Sequence, residues 1–259
     1  MVNLSDITQD KKFDLFIRDA SSSFSGWDFS YIEHRIAYEP LPWNYASEVL
    51  TYLRSVSSAL DMGTGGGEFL STLQPFPSKM VASEMYDKNY PIAKSILEPL
   101  GINVVTYEDK DALPFSDHEF DLIINRHEYY PPDELHRILK EDGIFITQQV
   151  GELDFSDLIE FLEAPHYQEE GLPEWFLENA INQLQESNFA ILKSQESYTK
   201  TRFYDIGAVT YYLTAIPFIV LNFTVEQYKE KLRHIFLKIE HNGFYDVKTH
   251  RFFITAQKK

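Results

Sequence analysis

No cysteine occurs among the 259 residues. That excludes disulfides, thiolate metal sites and cysteine nucleophiles, and it fits a reducing, cytoplasmic setting. Basic residues are scarce: 23 Lys and Arg stand against 40 Asp and Glu, a formal net charge of −17. No run of Lys and Arg is dense enough to form a basic face, which counts against a nucleic-acid partner. The start of the chain has neither a basic region nor an apolar run, so no signal peptide is read. Residues 206–223 carry no charge and approach the length of a membrane span. Gly207, Thr210, Thr214, Pro217 and Asn222 interrupt that stretch, and no polybasic flank follows it. The expectation is a buried helix ending near Pro217, with no membrane partner. The histidines show no metal-ligand spacing, so no metal is expected. There is no G-x-S-x-G elbow, and no Walker lysine follows the glycines.

Glycine is concentrated where it counts. The apolar pair Ala59 and Leu60 runs into Asp61, and then Gly63, Gly65 and Gly67 alternate before a helix-like pattern of Phe69, Leu70 and Leu73. That reads as strand, tight turn, helix. Glycines there let the backbone take positive φ and let a ligand approach with no Cβ in the way. A dinucleotide turn of the form G-x-G-x-x-G wants a small residue at its sixth position, and here that position is Glu68. About twenty residues beyond the turn, Glu84 ends a short apolar strand, 80–82, where nucleotide-binding α/β folds place an acid against ribose hydroxyls. Met85 follows it. Further strands are read at 102–107, 120–125 and 144–150, with helical patterns between them. Strand and helix alternating at this pace indicate a parallel sheet covered on both faces.

The acidic residue followed by three alternating glycines resembles motif I of the class I S-adenosylmethionine-dependent methyltransferases. The segment from Glu108 to Phe115 resembles the D-x-x-x-L-P-F stretch of ubiquinone- and menaquinone-biosynthesis methyltransferases. The resemblance covers roughly residues 45–150. It implies a doubly wound, Rossmann-like sheet of seven strands, the last antiparallel and containing Ile254. It implies S-adenosylmethionine as cofactor, held by Asp61, Gly63, Thr64, Gly65, Gly67, Glu84, Met85, Asp109, Lys110 and Asn125. Asp109 would accept from the adenine amino group, with Asp111 one register step away as the competing choice.

Asn125, Arg126, His127 and Glu128 follow the fourth strand, where α/β sheets bind ligands. They do not match the N-P-P-Y or D-P-P-Y signature of DNA amino-methyltransferases. His127 is the candidate base, since its pKa lies near neutrality, with a backbone-bonded loop histidine as the equal alternative. Trp27 and Trp43 flank loops and, with Arg126, are candidate substrate-pocket residues. Residues 1–43 are read as an N-terminal cap. Residues 44–259 are read as the catalytic domain, with helical lid additions within about 152–242. Aromatics make up 15% of the chain, which suits a small aromatic or hydrophobic methyl acceptor. Two other readings stand beside this one: a ribosomal RNA base methyltransferase, and a partner subunit that binds the cofactor without catalysis.

Overall fold

The computed structural model describes residues 8–24, 27–109, 111–165 and 174–259. Among these, a single mixed sheet of eight strands organises the chain. Its strands are β1 (Ile36–Tyr38), β2 (Ser58–Met62), β3 (Lys79–Ser83), β4 (Asn103–Val105), β5 (Phe120–Arg126), β6 (Leu139–Val150), β7 (Phe189–Phe203) and β8 (Tyr245–Lys258). Their order across the sheet is β1-β7-β8-β6-β5-β2-β3-β4. Strands β2 to β6 run parallel to their neighbours in that set. β8 is antiparallel to both β6 and β7, and Ile254 lies in it opposite Thr147.

The chain leaves β2 toward β3 and β4, then crosses back to β5 on the other side of β2. The order therefore reverses between β2 and β5, whose ends meet at Met62 and Asn125. Loops leaving the carboxyl ends of these two strands diverge, and such a crevice is where open α/β sheets bind ligands. Near its other end the same strand pair is pinned by Asp121. Its Oδ2 accepts from Ser58 N at 2.8 Å, and its Oδ1 accepts from Lys140 Nζ at 2.8 Å. These bonds hold the Asp121 carboxyl well below its usual pKa, against the upward push of burial.

Alternation along the strands divides the apolar residues between two layers. On one face α2 (Tyr45–Leu53), α3 (Glu68–Ser71) and α4 (Tyr90–Leu97) pack Val49, Leu70 and Leu97 on Ala59, Leu122 and Ile124. On the other, α5 (Pro132–Ile138) and α7 (Leu177–Glu186) pack Leu135, Ile138 and Leu184 on Leu60, Ile123 and Phe145. A third cluster lies at the long β7–β8 end of the sheet. It unites α1 (Gln9–Phe16), α6 (Ser156–Leu162), α8 (Ile206–Ala215) and α9 (Lys229–Asn242) through Phe13, Leu158, Val209 and Phe236.

Two expectations change. The sheet has one strand more than seven, because β1 of the N-terminal cap adds to the edge of β7. The cap is thus joined to the sheet and to the later helices. Arg35 donates to Asp205 at 2.7 Å through Nε and to Asp19 at 2.5 Å, and Asp205 also caps α8 by accepting from Ala208 N. The helix after the glycine turn, α3, has only four residues. Pro75 and Pro77 follow closely, and proline restricts the residue before it away from helix. Helix α9 begins at Lys229, after a turn in which Thr224 Oγ1 accepts from Gln227 N at 3.2 Å. The Phe223 and Tyr228 rings that staple this entry stack with centroids 5.7 Å apart.

The uncharged stretch resolves as expected. Every residue of α8 from Ile206 to Leu213 is buried, and the helix ends two residues before Pro217. Among the described residues no helix is long and apolar enough to cross a membrane.

Candidate active site

The glycine turn is tied to the sheet by two bonds from Gly63 N and Thr64 N to Ser83 O, at 3.0 and 2.9 Å. Gly63, Gly65 and Gly67 have φ of +70, +63 and +86°, a left-handed region that side chains disfavour. Each also meets a close neighbour. A Cβ on Gly63 would lie 2.4 Å from Glu128 Cβ and Cγ; one on Gly67 would lie 2.7 Å from Leu97, and one on Gly65 3.0 Å from Trp27 Cδ1. Gly67 therefore serves the packing of α4, while Gly63 and Gly65 lie beneath side chains from the loops above. Since α3 is a single turn, its dipole adds little. The N–H groups of Gly63 and Thr64 are taken by Ser83 O and that of Gly65 by Glu84, so what the turn offers a ligand is backbone without Cβ atoms and the carboxyl groups around it.

Three carboxyl groups crowd this turn from three strand ends. Asp61 is buried and its pKa is raised to about 6, by burial first; the Thr64 hydroxyl and the Arg126 charge pull it back, and Glu84 pushes it up. Glu84 is 4% exposed, and burial raises its pKa as well. Its Oε2 accepts from Gly65 N at 2.7 Å and its Oε1 from Tyr86 N at 2.8 Å. Met85, beside it, is on the surface. Glu128 is raised to about 7, by burial first and then by the charge of Glu84. Raised carboxyl groups converging on one crevice mark it as a candidate binding site.

The segment after β4 is held by its apolar part. Leu113 N donates to Glu134 Oε2 at 2.9 Å, and Arg137 donates to Leu113 O at 3.0 Å and to Phe115 O at 2.7 Å. Phe115 meets the Phe120 ring edge-on at 5.1 Å. Leu113 to Phe115 thus anchor the loop that carries both candidate aspartates. Asp109 Oδ1 accepts from Asp111 N at 2.9 Å, and Asp111 Oδ1 accepts from the Tyr129 hydroxyl at 3.0 Å. Asp111 is tied across to the loop after β5, while Asp109 stays exposed. Lys110 lies outside the described residues.

Beyond β5, neighbours in sequence serve opposite faces of the sheet. On one face Asn125 is fully buried, and its Oδ1 accepts from Gln149 Nε2 at 2.7 Å and from Thr147 Oγ1 at 3.1 Å. Its Nδ2 has no partner. Gln149 Nε2 also donates to Glu128 O at 3.0 Å. On the other face Trp43 Nε1 donates to Gln148 Oε1 at 2.8 Å, and Gln148 Nε2 lies 3.1 Å from His127 Nε2. Indole N–H only donates, so it fixes the orientation of the Gln148 amide. Gln148 Nε2 then donates to His127, whose Nε2 carries the lone pair and whose proton sits on Nδ1. Surrounding protein pushes the His127 pKa well down, and Arg251 and Arg126 add to this. The residue as a whole is exposed, so the two like charges and the Gln148 bond are the firmer reasons for a neutral ring. Its lone pair is engaged, which suits a positioning role better than that of a free base.

The two tryptophans sit apart in function. Trp27 stands on Gly65 and meets the rings of Phe24 at 6.3 Å and Phe218 at 6.4 Å, roofing the turn with residues from the cap and from the chain after α8. Trp43 is 8% exposed, packs on Phe253 at 6.1 Å, and walls a cleft of about 720 Å³. Tyr45, Phe69, Arg126 and Gln148 line the same cleft. The Arg126 guanidinium lies 3.9 Å over the Phe69 ring and, among the described residues, has no carboxylate ion pair. Sequence reasoning placed Glu128 in the ligand-facing segment after the fourth strand without giving it a role, and it missed Gln148 and Gln149. The readable signal was the polar run Thr147, Gln148 and Gln149 at the end of an otherwise apolar strand.

Residues 60–147 match a family model described as a methyltransferase domain. No curated protein matches the chain. A candidate methyltransferase from Bacillus halodurans C-125 is 16% identical, with 82% of this chain and 98% of that one covered and a TM-score of 0.60. The cyclase SpnF is 13% identical over 97% of both chains, with a TM-score of 0.54. A geranyl diphosphate methyltransferase solved in complex with SAM is 13% identical, covers 83% of this chain and 84% of its own, and has a TM-score of 0.50. These likenesses show the fold. A cyclase shares it, so the chemistry must be argued from the site.

Proposed function

We propose, from the premise that this chain carries a methyltransferase domain of the class I type over residues 60–147, that it moves the methyl group of S-adenosylmethionine to a small aromatic or hydrophobic acceptor. One observation carries the cofactor reading. A turn with three positive-φ glycines lies at the switch point between β2 and β5, with the Glu84 carboxylate already placed on Gly65 N. The residues fit such a ligand: Gly63, Gly65 and Gly67 put no Cβ of their own in its way, with Thr64 between them, Asp61 and Glu84 supply acceptors, and the unpartnered Asn125 Nδ2 is a spare donor at the same strand ends. Asp109 is the acceptor proposed for the adenine amino group, and Met85 and Lys110 are further residues proposed to hold the cofactor.

When bound, the cofactor supplies a sulfonium methyl open to in-line displacement. The chain's part is to hold acceptor and cofactor in line, which accounts for much of the rate without a dedicated base. Gln148 fixes His127 beside the cleft, and Trp43 fixes Gln148. The cleft walled by Trp43, Tyr45 and Phe69 is of the size small ligands use. Trp27, in contact with Phe218, covers the turn from above at Gly65.

Acceptor class is tested by a filter-binding assay against ribosomal RNA across a salt series, beside a thermal-shift screen of small aromatic acceptors with S-adenosylhomocysteine present. A protein that holds RNA neutralises several phosphates and loses affinity steeply with salt. With a net charge of −17, no binding at physiological salt is expected, and aromatic ligands should add to the thermal shift. Micromolar RNA binding with a steep salt slope would overturn the small-molecule reading.

A further inference from the structure

We propose that Glu128 makes this site prefer the positively charged methyl donor, S-adenosylmethionine, over its neutral demethylated product, S-adenosylhomocysteine. The inference rests on the cofactor reading above and names the residue that tunes it.

Glu128 lies directly over the first glycine of the turn. A Cβ built on Gly63 would fall 2.4 Å from its Cβ and Cγ and 3.1 Å from its Oε2. Its backbone is held there by Gln149, through the 3.0 Å bond to Glu128 O. The same Gln149 amide holds Asn125, whose fully buried side chain leaves Nδ2 without a partner. The carboxyl itself receives one hydrogen bond, from Tyr129 N at 3.1 Å, and forms no ion pair among the described residues. Among the described residues, the titratable groups facing it are Glu84 from the end of β3 and Tyr107 from the loop after β4. Arg126 is the nearest cation in sequence, but it is stacked on Phe69 at the cleft of the opposite face.

A carboxylate in this position has a like charge beside it and, among the described residues, no counter-charge. Glu128 is half-buried, and a carboxylate partly removed from water beside a like charge is stabilised by a partner of opposite sign. Burial and Glu84 accordingly raise the Glu128 carboxyl to about 7. A permanent cation beside the turn would relieve both effects. Donor and product share adenosine, α-amino and carboxylate groups, and they differ by the methyl group and its positive sulfur. Contacts to the shared parts cancel in the ratio of the two affinities, so that ratio reports on charge near the sulfur. Deprotonation of Glu128 must precede the pairing, so the preference should grow from pH 6 to pH 8.

The test is calorimetric titration of the full chain and of Glu128→Gln with both ligands at pH 7.5, repeated at pH 6. The variant is expected to weaken S-adenosylmethionine by roughly tenfold, the size of a lost charge-assisted contact, and to change S-adenosylhomocysteine by less than about twofold. Its melting temperature should equal or exceed that of the parent, because it removes an acid from a crowded acidic site. Its affinity ratio should lose most of the pH dependence, with Glu84 supplying the remainder. Equal weakening of both ligands, or no change in either, would overturn the role of Glu128 while leaving the cofactor reading standing. Failure of the parent chain to bind either ligand would overturn the cofactor reading and this inference together.

Discussion

Gly63→Ala is expected to abolish measurable cofactor binding and to lower stability by about 2–5 kcal/mol, from two independent costs. A side chain in the left-handed region costs roughly 1–2 kcal/mol, and forcing an extra carbon into a packed site typically costs about 1–3 kcal/mol. Here φ is +70°, and the new carbon would lie 2.4 Å from Glu128 Cβ and Cγ, atoms too near the backbone to swing aside. Any relief must move the loop after β5 or the turn, and either movement spoils the crevice. Urea denaturation of Gly63→Ala and of Gly63→Ala combined with Glu128→Ala separates the costs. The double variant should regain the packing part and keep the backbone part. A single variant as stable as the parent, with intact binding of S-adenosylhomocysteine, would show that the turn is not close-packed against Glu128.

Glu84→Ala is expected to weaken the cofactor more than tenfold while changing the melting temperature of the free protein little. Its carboxylate already accepts from Gly65 N and Tyr86 N, so it is held rigidly at the end of β3. Charge-assisted bonds from ribose hydroxyls to such a group contribute about 1.5–3 kcal/mol. Since about 1.4 kcal/mol is tenfold in affinity, their loss is visible by calorimetry. Stability changes little because two opposing effects meet. Two backbone donors lose their acceptor, but a buried acid, raised in pKa and facing Glu128, is removed. Unchanged affinity for S-adenosylhomocysteine would reduce Glu84 to a brace for the Gly65 backbone.

The parts of this site readable in the sequence are those where a backbone requirement restricts residue choice. Gly63, Gly65 and Gly67 were legible because positive φ at alternate positions leaves few alternatives to glycine. Glu84 was legible because it ends a strand at a fixed distance from that turn. The buried α8 was legible because Pro217 and scattered small polar residues argue against a span. What stayed hidden depends on partners distant in sequence. β1 is three residues long, and only its pairing with β7 makes it a strand. Glu128 reads only as part of the segment after the fourth strand until the fold lays it over Gly63. Trp27 and Trp43 look alike as loop aromatics, yet one roofs the turn and the other binds Gln148. Arg137, which holds Leu113 and Phe115 in place, lies on α5 and follows no motif in the loop it anchors.

The account stands or falls on which cofactor the glycine turn accepts. In a dinucleotide turn the sixth position is small and a pyrophosphate sits on the helix N-terminus. Here that position is Glu68, α3 is a single turn, and Asp61, Glu84 and Glu128 converge on the crevice. Such a site repels a pyrophosphate and suits a cation. Calorimetric titration of the purified chain with S-adenosylmethionine, S-adenosylhomocysteine and NAD decides the point. Saturable binding of the first two, with no heat from NAD, is the predicted result. Saturable binding of NAD with no response to S-adenosylhomocysteine would contradict it.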